Sequence, residues 1–195
     1  MNFITLGPAG SNHEYVTRHY LDFLGLGGRT AVELATDFEQ GAQAVLQGRA
    51  DFMVQCAVHP ATMATVAKFL AGLYVVDTFI SPSQDLAIIQ RRDARQPRSL
   101  AVMRPTLDYT DASQWDEVVL VDTVAEVTQG LIDGRYGAGL AYASAVERHP
   151  GLLRMVEFIG TVDDAWIVYG RTRVSASRLL AWPDSPAAAL YRRTA

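Results

Sequence analysis

The side chains best suited to chemistry lie in the turn Leu6-Gly7-Pro8-Ala9-Gly10-Ser11-Asn12-His13-Glu14, where an apolar run gives way to a helical pattern. Two glycines permit a tight turn, and Ser11 or Asn12 can cap the helix that follows. Free N–H groups at a helix start, together with its partial positive charge, make a site for an anion such as a carboxylate. Gly10, Ser11 and Asn12 are therefore candidate ligand contacts, although an ordinary strand-to-helix turn has the same layout. The segment is neither a lysine-bearing phosphate loop nor a dinucleotide turn, because the lysine and the third glycine are missing.

A similar turn recurs at Asp122-Thr123 and again at Met103-Arg104-Pro105. Thr123 can cap a helix and face an anion. Arg104 directly follows a strand, where its guanidinium could form a bidentate carboxylate pair or simply meet solvent. His59, just past a strand and before Pro60, can act as acid, base or hydrogen-bond donor, or fill a structural place. The four histidines (13, 19, 59 and 149) show no metal-ligand spacing, and no GxSxG elbow supports a serine nucleophile. Cys56 on an apolar strand reads as buried and inert.

Positioning these groups requires an alternation of short apolar runs and amphipathic stretches, the pattern of an α/β fold. Strands are expected at Phe3–Leu6, Asp51–Gln55, Leu73–Ile80, Asp85–Gln90, Leu100–Met103, Val118–Val121, Gly139–Tyr142, Leu153–Ile159 and Trp166–Tyr169. Helices are expected from His13 to Leu24, from an Asp37 cap to near Gly48, from Pro60 to Leu70, from Thr123 to Ile132 and over Ala143–Arg148. Arg91–Arg98 reads as an exposed hairpin or loop, and Pro183 and Pro186 restrict any tail helix to a brief, peripheral one.

Composition narrows the classes. The 195 residues are 49% hydrophobic and 19% charged, enough for one domain or two small lobes, with no apolar run that would span a bilayer. A net charge of −4 argues against nucleic acid as the main partner. Sixteen arginines against one lysine leave many planar forks for carboxylates. One cysteine rules out an internal disulfide. Asn2-Phe3-Ile4-Thr5-Leu6 lacks the layout of a secretion signal, so a cytoplasmic location is expected.

With Gly7-Pro8-Ala9-Gly10-Ser11 after the first strand, the chain resembles the catalytic domain of prephenate dehydratases. The likeness continues through Asp37-Phe38, Ala44-Val45, Gly48-Arg49-Ala50-Asp51, Arg104-Pro105 where that family has His-Pro, and Asp122-Thr123-Val124-Ala125-Glu126. It covers roughly residues 2 to 172 and implies a two-lobed type II periplasmic-binding-protein-like α/β fold with a cleft between lobes. Lobe 1 would take about 1–82 and 160–195 and lobe 2 about 83–159, with no ACT domain.

Two departures redirect the reading. The dehydratase threonine and arginine positions hold Asp164 and Ala165, and its P-I-E-N-S segment is replaced by Cys56-Ala57-Val58-His59-Pro60. The pattern is similar instead to a divergent branch that includes the bacilysin-pathway prephenate decarboxylase, through His59-Pro60-Ala61, Ser81-Pro82-Ser83-Gln84-Asp85-Leu86-Ala87 and Trp166-Ile167-Val168-Tyr169-Gly170. Gln84 and Val58 stand where that branch has Tyr and Pro. The resemblance implies a carbon–carbon lyase acting on prephenate or a related dicarboxylic acid by non-aromatising decarboxylation, without metal or organic cofactor, and leaves a homo-dimer open. It assigns proton donation to His59, with Asp164 as a rival acid able to preserve dehydration, and ligand binding to Gly10, Ser11, Asn12, Arg104 and Thr123. A non-catalytic binding module is the third reading, since one fold serves many functions.

Overall fold

The computed structural model describes residues 1–194, which build two five-stranded sheets flanked by helices. The first sheet has the order β2-β1-β3-β10-β4, from β1 (Asn2–Leu6), β2 (Ala31–Ala35), β3 (Phe52–Cys56), β4 (Tyr74–Pro82) and β10 (Asp163–Gly170). The second has the order β7-β6-β8-β5-β9, from β5 (Leu86–Arg91), β6 (Ser99–Met103), β7 (Glu117–Val121), β8 (Ala138–Tyr142) and β9 (Leu153–Gly160). Helices α1 (Asn12–Phe23), α2 (Phe38–Leu46) and α3 (Thr62–Phe69) connect strands of the first sheet. Helices α4 (Val124–Ile132) and α5 (Ser144–Arg148) belong to the second, and α6 (Pro186–Thr194) ends the chain.

The chain leaves the first sheet after β4 and returns after β9, so two crossings at Ser83–Asp85 and Thr161–Val162 join two lobes. This is the expected two-lobed α/β fold. In each sheet the central strands run parallel: β1 with β2 and β3, β6 with β7 and β8. Strands β10 and β5 run antiparallel to their neighbours, as a chain entering from the other lobe must. The carboxyl ends of β1, β3, β6, β7 and β8 carry Leu6, Cys56, Met103, Val121 and Tyr142. Loops at such strand ends are where open α/β sheets hold ligands.

Alternation along each strand supplies both faces of both sheets. Ile4, Met53 and Tyr169 pack under α2, while their neighbours Phe3, Val54 and Val168 pack with Val16 and Leu21 of α1. In the second lobe Ala87, Ile89 and Ala141 face Val127 and Leu131 of α4, and Ile88, Leu100 and Leu140 form the opposite layer. Gly139 is required where α4 crosses: a Cβ there would stand 2.3 Å from Val127 Cγ1 and 3.1 Å from the Ala101 carbonyl.

The structure differs from the sequence expectation chiefly at β2. Its five residues, Ala31-Val32-Glu33-Leu34-Ala35, lie at a sheet edge with Glu33 and Leu34 exposed, so no buried run announces them. Pro60 does not open α3, which begins at Thr62 after a turn in which the Thr62 hydroxyl donates to the Cys56 carbonyl. After the strand ending at Met103 the chain forms a 3-10 helix over Arg104–Tyr109. No helix among the described residues is long and apolar enough to cross a membrane.

Candidate active site

A cavity of about 340 Å³ lies between the lobes. From the first lobe it is lined by Ser11, Asn12 and His13 with the strand end and turn before them, by Cys56 at the end of β3 with His59 beyond it, and by Asp164 of β10. Met103, Pro105, Thr106 and Tyr109, the turn Asp122–Val124 and Tyr142 close it from the second lobe. Ser83 and Gln84 of one crossing complete the wall. The two capped turns singled out from sequence thus face one cleft.

Each turn is shaped by its own helix. Ser11 caps α1 through its Oγ, which accepts from Glu14 N–H at 3.2 Å, and Thr123 caps α4 by accepting from Glu126 N–H at 3.0 Å. Each glutamate then reaches back: Glu14 Oε2 accepts from Gly10 N–H at 2.8 Å and Glu126 Oε2 from Asp122 N–H at 3.2 Å. These are paired capping boxes, displaced by one residue at the acidic side. Burial pushes the Glu14 carboxyl up, but the Gly10 amide and the Arg18 guanidinium outweigh it and hold the carboxyl below its ordinary range. Both helix starts therefore already carry a carboxylate, which weakens them as sites for an outside anion.

Asn12 bridges the lobes. Its backbone N–H donates to the Tyr142 hydroxyl at 3.1 Å, its Nδ2 donates to Ser83 Oγ at 2.8 Å, and its Oδ1 accepts from Gln84 N–H at 2.9 Å. Ser83 in turn donates to Asp164 Oδ2 at 2.6 Å. The order Asn12, Ser83, Asp164 leaves Ser83 no choice of direction, so this oxygen of Asp164 acts as an acceptor. Tyr142 is buried, and burial pushes its phenol up to about 12 despite the Asn12 amide, so it stays protonated at neutral pH.

The two cleft histidines are neutral. Burial lowers His13 to about 3, with a further push from His59, and burial also lowers His59. Their rings meet edge to face with centroids 5.6 Å apart, and both contact Phe38. His13 Nε2 accepts from Cys56 N–H at 3.4 Å, and His59 Nδ1 accepts from Ala61 N–H at 3.1 Å. Those contacts place the remaining protons on His13 Nδ1 and His59 Nε2. Burial also raises the Cys56 thiol, which the nearby Asp164 reinforces, so it too stays protonated.

Of the residues expected from sequence, Ser11, Asn12, His59, Thr123 and Asp164 line the cavity. Gly10 and Arg104 do not. Gly10 supplies the turn instead, with φ at 78° and its N–H given to Glu14. Arg104 is exposed because the 3-10 helix begins at it and turns its side chain out, while Pro105 and Thr106 take the lining places. Sequence reasoning missed Tyr142, Tyr109, Ser83 and His13 as cleft residues. Tyr142 had a readable signal, a hydroxyl-bearing residue at the carboxyl end of an otherwise apolar strand; Ser83 had none, since its place depends on the crossing. The lining contains two carboxylates, Asp122 and Asp164, and neither arginine nor lysine. Among the described residues no group of His, Cys, Asp or Glu is placed to hold a metal ion.

No protein-family model matches the sequence, and no curated protein matches it significantly. Solved structures do share its fold. A prephenate dehydratase from Arthrobacter aurescens in complex with L-Phe superposes with a TM-score of 0.67 at 18% identity, over 97% of this chain and 69% of that one. The prephenate dehydratase of Staphylococcus aureus gives 0.64 at 15%, over 88% and 67%. A periplasmic VFT2 domain of Bordetella pertussis BvgS gives 0.51 at 16%, over 87% and 80%. The chain therefore has a prephenate-dehydratase-like, periplasmic-binding-protein-like fold.

Proposed function

We propose that the interlobe cleft binds prephenate or a closely related ring-bearing dicarboxylic acid and releases the ring carboxylate as CO₂ while the ring hydroxyl is kept. The observation that carries this reading is the charge of the lining: two carboxylates, two neutral imidazoles and no cationic side chain. A carboxylate enclosed without a counter-charge is raised in energy relative to neutral CO₂. The structural likeness to two prephenate dehydratases supports the substrate class.

The side-chain carboxylate of the substrate is placed at the start of α4, beside Thr123 and the first-turn amides. Asp164 is assigned the delivery of the proton: its Oδ2 is held by the Ser83 hydroxyl at 2.6 Å, which leaves Oδ1 facing the cleft for that role. The ring-to-carboxylate bond breaks, its electron pair enters the ring π system, and the Asp164 proton forms the new C–H bond. Solvent then returns a proton to Asp164. Burial works against an imidazolium at His59, so its assigned part is a hydrogen bond from Nε2–H to substrate oxygen. Arg104, at the rim beside Pro105, draws anions toward the cleft.

Incubation with prephenate, read by ultraviolet absorbance and mass, tests this directly. The expected product has lost CO₂ alone and has no aromatic band. Phenylpyruvate, which has also lost water, would move the assignment to dehydration. Unchanged prephenate that nevertheless binds would make the cleft a binding module.

A further inference from the structure

The first lobe carries a larger cavity of about 720 Å³, away from the interlobe cleft, between the end of α3, the start of β4 and the segment that follows β10. None of its lining residues is shared with the cleft. Its walls are apolar, from Leu70 and Leu73 on the lobe to Leu180 and Trp182 on the following segment. Leu180 and Trp182 are 61% and 68% exposed, so a ligand there would cover apolar surface that the chain itself leaves to water.

Three polar groups in this cavity have no hydrogen-bond or ionic partner among the described residues. Arg173 and Arg178 both line it, and neither guanidinium has a hydrogen bond or ion pair among the described residues. Arg173 lies over the Tyr74 ring at 5.3 Å, which holds it against the wall of the cavity with its N–H groups unengaged. The third is Tyr169. It lines the same cavity, is only 2% exposed, and its hydroxyl is buried with no hydrogen-bond partner. A buried hydroxyl without a partner is costly, so a ligand that opens this wall far enough to reach it with a polar atom is favoured. The single acidic side chain in the lining, Asp77, is already engaged by the Tyr20 hydroxyl at 2.5 Å and by Thr78 N–H at 2.8 Å.

We propose that this cavity is a second ligand site, separate from the cleft, for a small amphipathic anion of the arylalkyl carboxylate class. The carboxylate pairs with Arg173 and Arg178, a polar atom of the ligand meets the Tyr169 hydroxyl, and the apolar body lies against Leu70, Leu73 and Trp182. The volume is within the range of sites for small organic ligands.

The test uses 3-phenylpropionate as the probe and its neutral amide as the control, with tryptophan fluorescence and titration calorimetry on the full chain. Saturable binding of the acid is expected, with the amide weaker by about tenfold or more. An Arg173→Ala/Arg178→Ala double variant weakens the acid by about ten- to a hundredfold, and Tyr169→Phe by about threefold or more. Trp182→Phe removes the fluorescence change while the heat of binding persists. The proposal is overturned if the double variant binds like the wild type, if no saturation occurs up to about 10 mM, near the weak end of specific binding, or if the cleft variant Thr123→Ala/Asp164→Asn weakens the probe as much as the double arginine variant does, which would place it in the cleft.

Discussion

The imidazoles of His13 and His59 stand edge to face, 5.6 Å between centroids, and each spends one ring nitrogen accepting a backbone N–H. The pair is thereby set up to be neutral, and its protonation opposes folding. An unfolded histidine titrates near 6.5, whereas folded His13 titrates at about 3. Above pH 6.5 both states are neutral and the full stability is present. As pH falls from 6.5 toward 3 the unfolded chain takes up a proton that the folded chain refuses, at a cost reaching roughly 4 kcal/mol. His13→Gln keeps an acceptor for Cys56 N–H but removes this titration. Urea melts at pH 7 and pH 4 should show a smaller acid loss in the variant; equal losses would refute the assignment.

Turnover should separate the two candidate acids. Asp164→Asn is expected to lower kcat for prephenate by about 10²–10⁴-fold, because an amide cannot deliver the proton. His59→Gln keeps a neutral N–H donor and should stay within about tenfold of wild type. If His59→Gln is the variant that loses rate while Asp164→Asn retains it, the acid role belongs to His59 after all.

The capping glutamates tune the cleft against anions. Glu126→Gln preserves an acceptor for Asp122 N–H while removing the charge at the start of α4. Carboxylate ligands should bind about two- to fivefold more tightly, and the variant should lose roughly 0.3–1 kcal/mol of stability. Calorimetry of prephenate with both proteins at low salt measures the first effect. Unchanged affinity would show that α4 does not meet the ligand.

Gly139→Ala tests the packing that sets the second lobe. The added methyl must displace Val127, which stands 2.3 Å away and is fully buried. A loss of about 1–3 kcal/mol in denaturant melts is expected. A neutral result would mean that α4 can shift on its sheet at little cost, and the cleft turn Asp122–Val124 with it.

Local chemistry determined what the sequence alone could show. The apolar runs, the Ser11 and Thr123 caps and the order of strands and helices follow from interactions within a few residues, so they are readable in a single chain. Edge strand β2 escaped because half-exposed residues leave no periodic signal. Asn12, Thr123 and Asp164 were readable as candidates, but not what they would touch. Tertiary structure alone decided that Ser83 bridges Asn12 to Asp164 across 71 and 81 positions of chain, and that Tyr142 meets Asn12 across 130. It also decided exposure. Arg104 and Asp164 are equally ionisable in the sequence, yet the turn after Met103 exposes one and the crossing of the lobes encloses the other. The neutrality of His13 and His59 depends on burial against Phe38, Trp166 and one another, brought together from distant stretches of chain, and burial is a property of the assembled surfaces rather than of any segment.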